Sequence, residues 1–223
     1  MELERDGAQL FHGALGEGPL RELEEALSAL PSDRPGVRIG DLFTLAPMLA
    51  ADGSIGRVAA QYLGENCRPV RTILFDKSGA TNWALGWHQD RAIAVAEKIG
   101  IPGYGPWSVK AGIPHVEPPI EILENMVTLR VHLDDVDANN APLLIAPGSH
   151  RLGRIPEPQI DKIVATCSMY ACLAKRGDIW AYSTLILHAS EAARQPGRRR
   201  VLQADYSATT LPDSLQFATT TEG

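Results

Sequence analysis

The first third of the chain carries apolar residues at helical spacing. A stripe of leucines follows Pro19, which suits the start of a helix, and precedes the break at Pro31: Leu20, Leu23, Leu27 and Leu30. A second short helix is predicted over residues 54–63, where apolar residues again recur at helical spacing and Gly64 provides a C-terminal cap. We therefore expect helices in the N-terminal third of the chain, flanking the rest of the fold.

From residue 69 onward the pattern changes to apolar and alternating runs separated by turns. Strands are predicted over residues 69–75, 82–88, 125–133, 143–146, 168–173, 179–187 and 199–207. The segment 99–119 is rich in proline and glycine, so it is predicted to be a long loop that could act as a lid. Short strands with regular turns favour a β-sandwich or a barrel-like jelly roll.

Composition and charge narrow the possible functions. The 223 residues, 44% of them hydrophobic, are enough for one folded domain, which we expect to span residues 1–223. The net charge of −6 disfavours nucleic acid and anionic membranes as partners. Three cysteines do not form a disulfide framework, and neither a signal peptide nor a membrane span is visible. These features predict a reduced, cytoplasmic, soluble domain.

Three histidines head a His-x-Asp/Glu triplet: His88-Gln89-Asp90, His115-Val116-Glu117 and His132-Leu133-Asp134. On a strand, positions i and i+2 face the same way, so each triplet could offer two metal ligands. A mononuclear non-haem iron site needs a second histidine from elsewhere in the chain. His188, at the end of the predicted strand 179–187, is the best candidate, and it lies far enough from His88 to leave room for several strands.

Two residues that could bind a carboxylate follow His188 in the sequence. Ser190 lies two residues after it and Arg199 eleven residues after it, at the start of the next predicted strand. An arginine there offers a planar, permanently charged fork to a carboxylate. Arg198 and Arg200 are adjacent and would point to the opposite strand face, so the spacing selects Arg199.

The order and spacing of these motifs resemble the phytanoyl-CoA dioxygenase family of Fe(II)- and 2-oxoglutarate-dependent oxygenases. The resemblance covers roughly residues 70–207 and is carried by Trp87-His88-Gln89-Asp90, by the segment from His132-Leu133-Asp134-Asp135 to Asn140-Ala141-Pro142-Leu143, by Pro147-Gly148-Ser149-His150, and by His188-Ala189-Ser190 with Arg199.

The resemblance implies a mainly β fold, a double-stranded β-helix (a cupin-like jelly roll) with flanking N-terminal helices. It implies Fe(II) held by His88, Asp90 and His188, and 2-oxoglutarate held at its distal carboxylate by Arg199 and Ser190. With dioxygen, such an enzyme converts 2-oxoglutarate to succinate and carbon dioxide while it oxidises a C–H bond of its substrate. Halogenases of the family replace the carboxylate by a small residue, so Asp90 favours hydroxylation.

Two further residues are candidates for contacting 2-oxoglutarate. Trp107 stands where relatives sometimes carry an aromatic residue beside the cosubstrate, although it could equally anchor a lid. Thr128 shares a strand face with Arg130 and is predicted to line the cavity, with an exposed face as the alternative.

The sequence also allows other interpretations. Asp134 could supply the carboxylate ligand in place of Asp90. The fold could be a non-catalytic jelly roll that binds a metal or ligand, or a cupin-type metalloenzyme that does not use 2-oxoglutarate. The arginine eleven residues after His188 argues against the last, because such sites need no carboxylate clamp.

Overall fold

The computed structural model describes residues 1–31, 34–40, 42–79 and 82–218. Within these ranges the strands are β1 Ala8–Phe11, β2 Gly36–Arg38, β3 Arg68–Lys77, β4 Leu85–His88, β5 Ile93–Ala94, β6 Trp107–Lys110, β7 Ile113–Val116, β8 Met126–His132, β9 Leu143–Ile145, β10 Tyr170–Cys172, β11 Ile179–Ser183, β12 His188–Ser190 and β13 Arg199–Ser207. The α-helices are α1 Leu3–Asp6, α2 Glu17–Leu27, α3 Ala46–Leu49, α4 Gly56–Leu63, α5 Ile120–Glu124 and α6 Ile160–Val164.

The strands form two main antiparallel sheets and a small third one. The major sheet has the order β1-β11-β8-β13-β3-β2, and the minor sheet has the order β10-β9-β12-β4. A three-stranded sheet, β5-β7-β6, lies at one side. The chain is mainly β, and the two facing sheets form the predicted jelly roll.

The two faces of the major sheet differ in chemistry because side chains alternate along each strand. The outward face is apolar and packs against the leucine stripe of α2 and the inner face of α4 in one buried cluster, to which the sheet contributes Leu74, Leu129, Val131, Leu202 and Ala204. The inward face carries buried polar and charged residues, among them Arg130, Arg199 and Asp205. The helices therefore stabilise the back of the sheet and leave its front for a site.

The predicted strand 179–187 is two elements. β11 ends at Ser183, residues 184–187 turn, and His188 begins β12 in the other sheet. Leu185, Ile186 and Leu187 are fully buried in this crossing. The apolar run therefore reflects burial between the sheets, which periodicity alone does not separate from a continuous strand.

The segment 99–119 contains more structure than the predicted loop. β6 and β7 form a hairpin, and β7 also pairs with β5. His115, which heads one of the three His-x-Asp/Glu triplets, lies in β7 and is fully buried. In the part of the chain that the structure describes, no helix is both long and apolar enough to cross a membrane.

Candidate active site

Two histidines face each other across neighbouring strands of the minor sheet. His88 at the end of β4 is the direct partner of His188 at the start of β12, and the centres of the two rings are 4.2 Å apart. Nδ1 of His88 lies 2.8 Å from the Gly86 carbonyl oxygen, and Nδ1 of His188 lies 2.9 Å from that of Ile186. With Nδ1–H donating to these carbonyls, each ring presents the lone pair of Nε2.

Asp90 is the third residue that lies with His88 and His188. The sequence suggested that His88 and Asp90 share one face of a strand, which is not the case. β4 ends at His88, so Asp90 lies beyond the strand. It is held by Arg71, whose Nη2 donates to Oδ2 of Asp90 over 2.7 Å. Ligand atoms of His88, Asp90 and His188 all lie within 4.8 Å of one another, and no other group of three such residues occurs in the described ranges.

Gln89 fixes the segment between the two ligands. Its side-chain amide donates to the carbonyl oxygens of Gly153 and Leu185 over 2.9 and 2.7 Å, and its side-chain oxygen accepts from the backbone N–H of Ile155 over 2.9 Å. The side chain is 5% exposed, so all these bonds are made in the interior. Buried hydrogen bonds of this kind orient the residues on either side of Gln89.

Arg71 links the site to the major sheet behind it. Besides Asp90, it donates through Nε to Asp205, and Asp205 also accepts from the hydroxyl of Thr128 over 3.1 Å. Sequence reasoning missed Arg71. The available signal was a lone cation within the otherwise apolar strand predicted over residues 69–75.

The protonation states suit a divalent metal. Burial acts to raise the pKa of Asp90, but the guanidinium of Arg71 is the largest opposing influence, and that pKa lies well below the usual range. Burial lowers the pKa of His188 to about 4, against the opposing effect of Asp90. An ionised carboxylate and neutral imidazole on one side of an open cavity are the donor set of the two-histidine, one-carboxylate facial triad that binds non-haem Fe(II).

A cavity of about 570 Å³ lies beside these three residues. At one end Arg199, 3% exposed, is opposite Lys77 in the β13–β3 register. Arg199 donates through Nη1 to the carbonyl oxygen of Ala141, and its buried Nε has no partner among the described residues. Nζ of Lys77 donates to the hydroxyl oxygen of Ser190 over 3.0 Å.

Lys77, Arg130 and Arg199 form a cationic group at this end, which we call the cosubstrate end. Burial, with Arg199 and Arg130 adding to it, lowers the pKa of Lys77 to about 7. Burial and Arg130 lower the pKa of Arg199 to about 9. Within the described residues none of the three pairs with a carboxylate, and Arg130 instead donates to the side-chain oxygen of Gln203 over 2.9 Å. Buried cations without a counter-ion suit an anionic ligand.

The neighbours of Arg199 point away from the cavity, as the alternation of the strand predicted. Arg198 lies 3.5 Å from a carboxylate oxygen of Asp76. Arg200 donates to both carboxylate oxygens of Asp134, over 3.0 Å from Nε and 2.7 Å from Nη2. Asp134 is therefore engaged elsewhere and does not lie with His88 and His188.

Two of the remaining predicted residues line the cavity and one does not. Ser190 and Trp107 are lining residues, Trp107 from β6. Thr128 lies behind the cavity wall, where its hydroxyl bonds to Asp205 and lies 3.2 Å from that of Thr184. Its contribution is to hold Asp205, a role that the strand pattern did not reveal.

Within the described residues, the other two His-x-Asp/Glu triplets do not form a group of three potential metal ligands. His132 is buried at the end of β8, and neither ring nitrogen has a partner in the described part of the chain. His115 lies 2.9 Å through Nδ1 from the carbonyl oxygen of Ile113.

Comparison with known proteins identifies the family. The family model of phytanoyl-CoA dioxygenase (PhyH) matches residues 4–201. The chain belongs to the phytanoyl-CoA dioxygenase family. This confirms the family that the motifs indicated, and the match also includes the N-terminal helices, which lie outside the range of roughly residues 70–207 that the motifs covered. No curated protein sequence matches the chain.

Three solved structures illustrate the similarity in fold. EctD from S. alaskensis, solved with 2-oxoglutarate and 5-hydroxyectoine, is 19% identical, with 92% of this chain and 73% of EctD covered at a TM-score of 0.67. The α-ketoglutarate-dependent epimerase SnoN from nogalamycin biosynthesis is 17% identical, with 99% and 93% covered and a TM-score of 0.63. HygX from Streptomyces hygroscopicus, solved with nickel, 2-oxoglutarate and hygromycin B, is 14% identical, with 92% and 84% covered and a TM-score of 0.61. These likenesses establish the shared fold.

Proposed function

We propose that this protein is an Fe(II)- and 2-oxoglutarate-dependent dioxygenase that oxidises a C–H bond of a small organic substrate and releases succinate and carbon dioxide. The observation that carries the proposal is the group of His88, Asp90 and His188 at a cavity whose one end is cationic. Membership of the phytanoyl-CoA dioxygenase family supports it. EctD and HygX, which share the fold, were solved with 2-oxoglutarate bound.

The three residues would hold Fe(II) through Nε2 of His88, Nε2 of His188 and the carboxylate of Asp90. When bound there with 2-oxoglutarate and dioxygen, the metal supplies the oxidative decarboxylation that generates an oxidant for the substrate C–H bond. Arg71 keeps Asp90 ionised and oriented. The carbonyls of Gly86 and Ile186 fix the rings so that their free nitrogens face the cavity.

Arg199 would bind the distal carboxylate of 2-oxoglutarate, with Lys77 beside it. The hydroxyl of Ser190, which already accepts from Lys77, can donate to the same carboxylate. Trp107, which lines the same cavity, remains a proposed contact of 2-oxoglutarate. A buried cationic end of this kind is unnecessary in a jelly roll that only binds a metal, or in a cupin-type enzyme without an oxo acid.

The proposal is tested by calorimetric titration under anaerobic conditions, first with Fe(II) and then with 2-oxoglutarate. We expect one Fe(II) to bind per chain, and 2-oxoglutarate to bind tightly only when metal is present. His88→Ala and His188→Ala should lose the metal, because two ligands seldom hold a labile ferrous ion. His12→Ala, at a histidine whose side chain is 79% exposed, is the matched control and should bind both. Unchanged metal binding in either ligand variant would overturn the proposal.

A further inference from the structure

Arg38 lines the same cavity but belongs to neither the metal group nor the cosubstrate end. It is the last residue of β2, the edge strand of the major sheet, and lies opposite Ile73 on β3. Within the residues that the structure describes, its side chain makes no hydrogen bond or ion pair, and its Nε is buried without a partner. Arg38 is thus a half-buried guanidinium on the cavity wall with no partner among the described residues.

Arg38 and the cosubstrate end occupy different parts of the cavity. Arg38 is opposite Ile73, whereas Arg199 is opposite Lys77. These two positions on β3 are four residues apart, which corresponds to about 13 Å along the strand. Arg71 and Asp90 are the charged groups that affect the pKa of Arg38, which burial lowers. Arg38 therefore lies toward the metal group and away from Lys77.

The cavity wall carries more positive charge than its acidic residues, a bound metal and 2-oxoglutarate together neutralise. Seven lining residues are cationic, Arg38, Arg71, Lys77, Arg91, Lys110, Arg130 and Arg199, in a protein whose overall charge is −6. Only two lining residues are acidic, and both are engaged: Asp90 by Arg71 and Glu117 by Arg154 over 3.3 Å. Two of the seven basic residues also pair with carboxylates behind the wall, Arg71 with Asp205 and Arg91 with Glu157 over 3.7 Å, which leaves five without a carboxylate partner among the described residues. The charges of a divalent metal and a dicarboxylate cancel each other, so the positive excess persists in the loaded site.

We propose that the prime substrate carries an oxyanion, a carboxylate or a phosphate, which Arg38 binds from the wall of β2. This inference rests on the proposed function. The guanidinium fork matches two oxygens of such a group, and Lys110 adds a second positive charge at the rim of the cavity. Between Arg38 and the cosubstrate end the wall is apolar, with Ile73 and Phe75 on β3, and it suits the carbon skeleton of the substrate.

The test uses acetate and methyl phosphate as probes. The protein is loaded with Zn(II), a redox-inert substitute, and with saturating 2-oxoglutarate, so that the metal and Arg199 are already occupied. Each probe is titrated at constant ionic strength and followed by two-dimensional NMR. Arg38→Gln is compared with wild type and with Arg21→Gln, a matched loss of charge at an exposed arginine on α2.

We expect saturable binding of at least one probe to wild type and to Arg21→Gln, and binding at least about tenfold weaker to Arg38→Gln. The probe that binds more tightly identifies the oxyanion. Equal affinity in Arg38→Gln, or no saturable binding to wild type, overturns the inference. The same samples report 2-oxoglutarate binding: its absence from wild type rejects the proposed function, whereas its loss in Arg38→Gln alone places Arg38 in the cosubstrate site and overturns this inference only.

Discussion

At the scale of single residues, Arg71 connects the metal group to the interior of the major sheet. Its guanidinium joins the carboxylates of Asp90 and Asp205, and its side chain is only 13% exposed. Burial raises the pKa of Asp205, and Arg71 opposes that effect. A charge pair of this kind becomes very unfavourable when one partner is removed, because the other charge is left buried.

Arg71→Gln should therefore lower the free energy of unfolding by about 3–5 kcal/mol, measured by urea denaturation of the metal-free protein. The control is Arg5→Gln, which breaks an exposed pair with Asp6 and should change stability little. A change no larger than that of the control would show that the pair does not stabilise the fold.

Arg199 is the residue on which cosubstrate affinity should depend. Truncation leaves a buried carboxylate without its main partner, which costs about 2–5 kcal/mol, so 2-oxoglutarate affinity in Arg199→Ala should fall at least ~30-fold. Arg199→Lys keeps the charge but loses the fork and should give an intermediate value.

Arg198→Ala and Arg200→Ala are the matched controls for this series, because both side chains pair outside the cavity. Calorimetric titration with metal present compares all four variants. A loss of affinity in Arg200→Ala with none in Arg199→Ala would contradict the assignment.

At the scale of elements, strands were predictable where they are long and central. The range 199–207 coincides with β13, and 125–133 exceeds β8 by one residue at each end, because both strands carry long apolar or alternating runs. β2 and β12 have three residues each and exist because of their partners, so no local pattern indicates them. His88 and His188 were visible as motifs, whereas Arg71 and Lys77 depend on how β3 pairs with its neighbours.

The inward face of β8 allows a prediction about pH. Burial, with Arg130 and Arg199 adding to it, lowers the pKa of His132 to about 3. In the unfolded chain this histidine titrates near 6.5, so below that pH the unfolded state binds a proton that the folded state does not. Stability should therefore fall as the pH drops below about 6.5.

His132→Leu removes this effect, so relative to wild type it should gain about 2 kcal/mol in unfolding free energy between pH 7.5 and pH 5. Urea denaturation at several pH values measures it, with His12→Leu as the exposed control. A difference between wild type and His132→Leu that does not vary with pH would show that His132 is protonated equally in both states.

At the scale of the whole molecule, charge is distributed unevenly. The protein is acidic overall, yet its cavity is strongly cationic because seven basic residues from separate segments of the chain converge there. Composition gives only the overall charge and conceals this local field. The apolar back of the major sheet packs against the helices, and the charged face is left to the site. Only the pairing of distant strands produces this arrangement, which is why the sequence did not predict the cavity.

The most direct test of the central claim is succinate formation from 2-oxoglutarate in the presence of dioxygen. We expect slow, Fe(II)-dependent release of succinate by the wild-type protein even without a prime substrate. We expect none from His88→Ala or His188→Ala and wild-type release from His12→Ala. Succinate formation that is independent of iron, or that persists in either ligand variant, would contradict the account.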